Sequence, residues 1–193
     1  MPQSRYNAGY QSIIRNTISK ALEAHSRSMV FRCDLRFPDI ETYAEYDSRV
    51  ITRFFSSLKA KIRSDLERKT RAWGREYPCA VNYVWVREYG DERGRKHYHV
   101  LIFVNKDVYH ALGEYKEGAH CLATMVRGAW CSATGLHHSD FESLVHFGQR
   151  FYVDRNSPEL NHQIQAIERR AGYLTKHATK RYGDGERSIG SSL

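Results

Sequence analysis

The sequence predicts an α+β domain in which an antiparallel sheet carries helices on its faces. Two strand-like segments, 80–88 and 96–105, are separated only by the turn-rich residues Tyr89 to Arg95, and so short a Gly-containing loop makes them an antiparallel hairpin. Three longer segments, 11–24, 46–73 and 158–181, repeat apolar residues at helical spacing. No internal repeat or low-complexity tract divides the chain, and 193 residues suffice for one generous domain with a real core.

Taken in order, Ile13, Ile14, Ile18, Ala21 and Leu22 make one apolar stripe and predict a helix over 11–24. Met29 to Phe37 alternates and stops at Pro38, which reads as a first strand. From Tyr46 to Trp73 the positions Val50, Phe54, Phe55, Leu58, Ile62 and Leu66 recur with Lys and Arg on the other face, predicting a long helix packed across the sheet. After the hairpin, 106–115 reads as a short helix and 118–133 as a second one stopped at Gly135. A short strand, 150–154, precedes Ser157-Pro158, an N-cap followed by Pro at the first helical position. The terminal helix then runs over 158–181, its stripe being Leu160, Ile164, Ile167, Ala171, Leu174 and Ala178. Pattern alone thus supports four strands. Residues 183–193, rich in Gly and Ser, read as a mobile tail, which leaves a helical arm (1–28), a main domain (29–182) and the tail.

Composition narrows the class of partner. Thirty Lys and Arg against 22 Asp and Glu give a net charge of +8, so the surface attracts polyanions, nucleic acid first and an acidic membrane surface second. A charged fraction of 27% beside 12% aromatics excludes a collagen-like or disordered chain. The longest apolar run, Val100 to Val104, is far below the roughly 18 residues of a membrane span. The amino terminus lacks the apolar core of a secretory signal, so the expected compartment is the cytosol, with no membrane partner. The four cysteines, 33, 79, 121 and 131, form no C-x-x-C pair and read as reduced thiols.

Two groups of residues suggest chemistry. His97 and His99 stand at the start of the second hairpin strand, and because strand side chains alternate, both imidazoles leave the same face. Side by side they make a partial metal site, or else half-buried sheet histidines with hydrogen-bond partners. Glu88 ends the partner strand and is placed to join them, leaving positions on an ion open for water or a phosphate oxygen; its competing use is an ion pair with Arg87, Arg95 or Lys96. On the terminal helix, Tyr173 and Lys176 occupy i and i+3, neighbours on one face. A phenol is a poor nucleophile at neutral pH unless a nearby cation or metal favours its phenolate, and a surface aromatic is the plainer reading.

Together these segments, MVFRCDLRFP, then VWVREYGDERGRKHYHVLIFVN, then RRAGYLTKHATK, resemble the HUH endonuclease superfamily, named for His, bulky hydrophobic residue, His. Within it they look like the single-tyrosine rolling-circle replication initiators. The whole-chain pattern is similar to the inovirus gene-two-type replication proteins and to the YagK/YfjJ-type domain of phages and prophages. The resemblance implies a sheet of about five strands in a ferredoxin/RRM-like arrangement, and makes 29–182 an HUH-type nuclease domain. It implies site-specific nicking and joining of single-stranded origin DNA, initiating rolling-circle replication in a bacterial host cell. Mg²⁺ or Mn²⁺ held by His97, His99 and Glu88 would polarise the phosphate, and His177, four residues after Tyr173, stands behind Glu88 as third ligand. Tyr173 would form the 5′-phosphotyrosine, Lys176 would steady the phosphate, and a host helicase and polymerase would be partners. The segment CDLRFP departs from the usual motif of that region and gives Asp34 and Arg36 no inherited role. The alternatives are a non-catalytic nucleic-acid-binding replication regulator on the same fold, or a single-tyrosine transposase or relaxase.

On a regular helix, Tyr173, Lys176 and Lys180 point away from the apolar stripe, at about 100° per residue, so the helix must cross the sheet edge, with Gly172 a place for it to bend. Arg95, Lys96, Arg169, Arg170, Lys180 and Arg181 are the expected DNA contacts, mixed with solvated charge. Tyr83, Trp85 and Tyr89 offer base stacking or packing. His137, His138 and His146 with Cys121 and Cys131 match no common zinc spacing.

Overall fold

The hairpin predicted around Tyr89 to Arg95 forms, and the rest of the sheet assembles on it. The computed structural model describes residues 7–39, 42–90, 94–114, 120–136, 144–175, 180 and 183–192. In chain order the elements are α1 (Ala8–Ala24), β1 (Arg27–Arg36), the single turn α2 (Tyr43–Tyr46), α3 (Val50–Trp73), β2 (Asn82–Tyr89), β3 (Lys96–Asn105), α4 (Leu122–Thr134), β4 (Val145–Asp154), α5 (Leu160–Gly172), a 3-10 turn (Tyr173–Thr175) and β5 (Ile189–Ser191). The sheet is antiparallel in the order β4-β1-β3-β2-β5. β1 to β4 with α3 and α4 form a βαββαβ unit, the ferredoxin-like split βαβ, which β5 extends at the β2 edge. The five-stranded α+β arrangement is therefore as expected.

Central strand β3 sets the layers, because its side chains alternate between two separate cores. Tyr98, Val100, Ile102 and Val104 pack with Phe31, Cys33 and Leu35 of β1 under α3 and α4. Leu101 and Phe103 face the other way and meet Val30, Val84, Val86 and Val153 under α1 and α5. The stripe of α3 buries Val50, Phe54, Phe55, Leu58 and Ile62, with Tyr83 of β2 stacked on Phe55 at 3.4 Å between ring centroids. Trp130 of α4 is fully buried, and its Nε1–H donates to the Arg36 carbonyl at 2.7 Å, so a large ring enters the core without an unpaired donor. No helix among the described residues is long and apolar enough to cross a membrane.

Several elements differ from the sequence pattern, each for a local reason. Residues 106–114 are turns and irregular chain rather than a helix, and Tyr115 lies outside the described residues. Asn105 accounts for this: its carbonyl accepts from Val108 (3.2 Å) and Tyr109 (2.9 Å) and its side chain accepts from Asp107 (2.9 Å), closing one turn that goes no further. The predicted 46–73 helix is broken at Asp47, whose side chain accepts from the Arg49 N–H at 2.8 Å, and α3 starts at Val50. Strand β4 begins at Val145 rather than 150; its polar residues 146 and 148–150 are exposed on the sheet edge, and a bulge opposite Phe31 and Cys33 breaks the alternation. The terminal α-helix does not continue unbroken to Arg181. It ends at Gly172, where the Thr175 hydroxyl donates to the Gly172 carbonyl (2.8 Å) and the Asn7 N–H takes the Thr175 carbonyl (2.9 Å).

The largest correction is the tail, which is pinned rather than mobile over 183–192. Arg87, almost wholly buried, donates to Asp184 Oδ1 (2.8 Å) and Glu186 Oε2 (2.9 Å), and its backbone N–H donates to the Ser188 carbonyl (2.9 Å). Beyond it β5 pairs with Val84 to Val86, and Gly190 lies so close to Trp85 that a Cβ there would sit 2.5 Å from the ring.

Two predictions test this packing. Gly190→Ala forces the indole aside and should destabilise the fold by about 1–3 kcal/mol in urea unfolding, while Ser191→Ala should cost less than about 0.5 kcal/mol. Asp65 is buried against Lys69 (2.8 Å), Arg68 (2.6 Å) and the Tyr109 hydroxyl (2.8 Å). Burial alone would raise its carboxyl, but these contacts outweigh it and lower the pKa. Its contribution is therefore complete above the unfolded pKa of about 4 and is lost as pH falls through the lower folded value. Asp65→Asn should cost about 2–4 kcal/mol at pH 7 and less at pH 3, measured by thermal unfolding across that range.

Candidate metal centre

The end of β3 at which the hairpin loop lies carries its two histidines on the face that α1 and α5 cover farther along. Alternation puts His97 and His99 in line with Leu101 and Phe103. Register adds their neighbours: Glu88 of β2 is the direct partner of His97, and Asp34 of β1 is the direct partner of His99. Three strands thereby converge four ionisable side chains on one place.

The hydrogen bonds set the imidazole tautomers. His97 Nδ1–H donates to the Arg95 carbonyl at 3.2 Å, and His99 Nδ1–H donates to Asp34 Oδ1 at 2.7 Å. Each ring therefore turns Nε2 inward, and the two Nε2 atoms face one another at 3.2 Å. Glu88 Oε2 lies 3.4 Å from His99 Nε2. Two inward lone pairs this close repel unless a cation or proton stands between them. Donors at neighbouring positions of an octahedral ion, about 2.1 Å from it, are about 3.0 Å apart. All three ligand atoms lie within 4.8 Å of one another, and the set fits a divalent cation with positions left open. Among the described residues this is the only such group, and Cys131, Cys121 and His146 form none; His137 and His138 lie outside those residues.

Charges around the centre are compensated. Arg32 grips Asp34 through two parallel bonds, Nε to Oδ1 (2.8 Å) and Nη2 to Oδ2 (3.0 Å). Lys180 is buried and donates from Nζ to Glu88 Oε1 at 2.8 Å, with Nζ 5.9 Å from the Tyr10 ring centroid of α1. Burial would raise both carboxyls, but the bonds of Asp34 to His99 and Arg32 hold it well below the usual range, and His99 and Lys180 hold Glu88 at about 2. Burial would also lower His99, yet Asp34 and Glu88 raise it, while burial and the His99 charge lower His97. Without a metal the pair thus holds a proton on His99, where the ion would otherwise satisfy Nε2.

The sequence-predicted residues fall into distinct places. His97, His99 and Glu88 come together, and Glu88 pairs with Lys180 rather than with Arg87, Arg95 or Lys96. Lys180 and Lys96, expected as DNA contacts, are interior instead: Lys96 is buried on the opposite face with Nζ 3.2 Å from Glu186. Arg95 is bound to Glu45 at 2.8 Å, whereas Arg169 and Arg170 are exposed on the last turn of α5. Tyr83 and Trp85 are packing residues, Trp85 meeting Tyr98 edge-on, and the Tyr89 hydroxyl accepts from Arg87. The Tyr173 backbone opens the 3-10 turn, but its side chain and all of Lys176, His177 and Arg181 lie outside the described residues. Sequence reasoning missed Asp34, Arg32 and Lys180 as parts of the centre. Arg32 and Asp34 did carry a signal, two charged residues at i and i+2 of an otherwise apolar strand, which must share a face.

Fold and site together define an α+β protein of the split βαβ type with a preorganised two-histidine, one-glutamate cation centre at one end of its sheet. The chain belongs to the YagK/YfjJ C-terminal domain family, whose model matches residues 4–192. It is similar to two uncharacterized proteins of Escherichia coli (strain K12). It is 35% identical to YagK over 192 residues, 95% of this chain and 91% of YagK. It is 34% identical to YfjJ over 194 residues, 95% of this chain and 93% of YfjJ. No solved structure matches it.

Because Asp34 orients His99 from behind, Asp34→Asn should weaken Mn²⁺ binding about 10- to 100-fold in a calorimetric titration, as outer-sphere carboxylates do elsewhere. His97→Ala removes a donor itself and should weaken it further.

Proposed function

We propose that this protein is a metal-dependent nickase and strand transferase of the HUH type, acting on single-stranded DNA at the origin of a phage or prophage genome. The observation that carries the reading is the convergence of Glu88 Oε2, His97 Nε2 and His99 Nε2 on one point. The sequence order of strand, Glu strand, His-x-His strand and Tyr-x-x-Lys segment supports it.

A bound Mg²⁺ or Mn²⁺ would supply Lewis-acid polarisation of the scissile phosphodiester. Every other task falls to the chain. His97, His99 and Glu88 hold the ion, with Asp34 and Arg95 fixing the imidazole tautomers. The Tyr173 oxygen attacks phosphorus in line and loses its proton, and the bond to O3′ breaks. The strand is left with a 5′-phosphotyrosine and a free 3′-hydroxyl that a host polymerase extends. Lys176, three residues on, steadies the phosphate and favours the phenolate. The phosphotyrosine conserves the energy of the diester, so a later 3′-hydroxyl reverses the step without ATP. Exposed Arg169 and Arg170 contact the strand, and a host helicase opens duplex DNA.

A second reading, a non-catalytic nucleic-acid-binding replication regulator, is favoured by one observation, the Lys180 ammonium already neutralising Glu88. The covalent adduct separates the two. Incubated with origin single strand, the protein should form a protein–DNA adduct more readily with Mn²⁺ than with Mg²⁺, since two of three donors are imidazoles. Tyr173→Phe should abolish the adduct, and His97→Ala or His99→Ala should reduce it at least about 100-fold while sparing most DNA affinity. An adduct that survives Tyr173→Phe overturns the assignment, and no adduct on any strand favours the regulator.

A further inference from the structure

Two tyrosines beside the cation centre remain largely in water. Tyr43 and Tyr46 of α2 are 85% and 65% exposed, more than any other large hydrophobic side chain among the described residues. They stand three residues apart on one helical turn, so their rings emerge as neighbours on one side. Between them Ala44 is buried in the core under α3 and α4, and Glu45 is turned to the hairpin.

Arg95 ties this turn to the centre. Its guanidinium donates to Glu45 Oε2 (2.8 Å) and Asp39 Oδ1 (3.3 Å), while its carbonyl accepts the His97 Nδ1–H (3.2 Å). One residue thus holds α2 with its side chain and orients a candidate metal ligand with its backbone. The acids of this stretch are matched by arginines, Asp39 and Glu45 by Arg95 and Asp47 by Arg53. What α2 presents outward is aromatic surface rather than unopposed negative charge.

We propose that Tyr43 and Tyr46 form a stacking platform for two bases of single-stranded DNA next to the phosphate presented to the centre; the identity of this partner rests on the nicking reading. Every base has a π-face, so stacking is sequence-tolerant, and only an unpaired strand has bases free to give. The chain's charge of +8 supplies a salt-dependent attraction to the backbone, and the platform adds a contribution that salt does not screen.

The test is fluorescence anisotropy of the whole chain with a labelled oligothymidine in EDTA, where no cleavage occurs. Tyr43→Ala and Tyr46→Ala should each weaken binding about five- to fifty-fold with the slope against log salt unchanged. Tyr→Phe at either position should keep wild-type affinity, because stacking uses the ring and not the hydroxyl. An abasic strand of equal length should bind wild type and variants alike, and melting temperatures should not move. Wild-type affinity in the alanine variants, an equal loss on the abasic strand, or no binding of single strands overturns the platform. Because the assay scores no adduct, a protein that nicks but shows no loss refutes the platform alone, and one that shows the loss without an adduct refutes nicking alone.

Discussion

The register of β1, β3 and β2 is the constraint on which the centre depends. Asp34 opposite His99 and Glu88 opposite His97 are side by side only because those three strands pair as they do. A slip of one residue would turn His97 and His99 to the α3/α4 face and leave Asp34 and Glu88 facing apolar residues. What forbids the slip is the rest of β3, where Val100, Ile102 and Val104 fill one core and Leu101 and Phe103 the other. Ten rings and branched chains in two layers thus hold a geometry needed by three ligand atoms.

The second dependence is electrostatic. Asp34 and Glu88 are both largely removed from water, and two uncompensated carboxylates there would take up protons rather than serve the imidazoles. Arg32 and Lys180 prevent that, one from the same strand and one from beyond α5. Each neutralises the carboxylate through oxygens that leave the ligand face open: Lys180 takes Glu88 Oε1 while Oε2 remains beside His99. The opposite face repeats the device with Arg87, Lys96, Asp184 and Glu186, but there it closes the tail onto β2 and presents no imidazole. Chemistry and architecture are thereby separated by the pleat of two adjacent residues, Arg87 and Glu88.

What was legible in the sequence follows period and loop length. The hairpin, the limits of β3 and the stripe of α3 were readable because their apolar residues repeat without interruption, and alternation alone set both histidines on one face. Strand β5 was not, since three residues containing a glycine pair through backbone and their anchors are acids found only through Arg87. Lys180 was read as a surface cation because helical phase was carried past Gly172, where the α-helix ends. Its true partner, Glu88, lies 92 residues away, a separation no local pattern reports. The function itself rests on the order of motifs, to which geometry adds a fitted donor set and a reason for Asp34.

The turn at Tyr173 shows how these anchors combine. On one side the Thr175 carbonyl is taken by Asn7, the residue whose side chain also caps α1, and Leu174 is buried beneath α1. On the other side Lys180 is fastened to Glu88 and lies over the Tyr10 ring, again from α1. The first helix therefore braces the tyrosine-bearing segment at both ends, and one of those braces is a ligand of the centre. That makes the amino-terminal helix part of the site's framework rather than an independent arm. It also supplies a physical reason for a nucleophile to sit on a 3-10 turn: a rigid α-helix would keep its phase past Gly172 and carry Lys180 away from Glu88, whereas the break lets one segment satisfy both attachments.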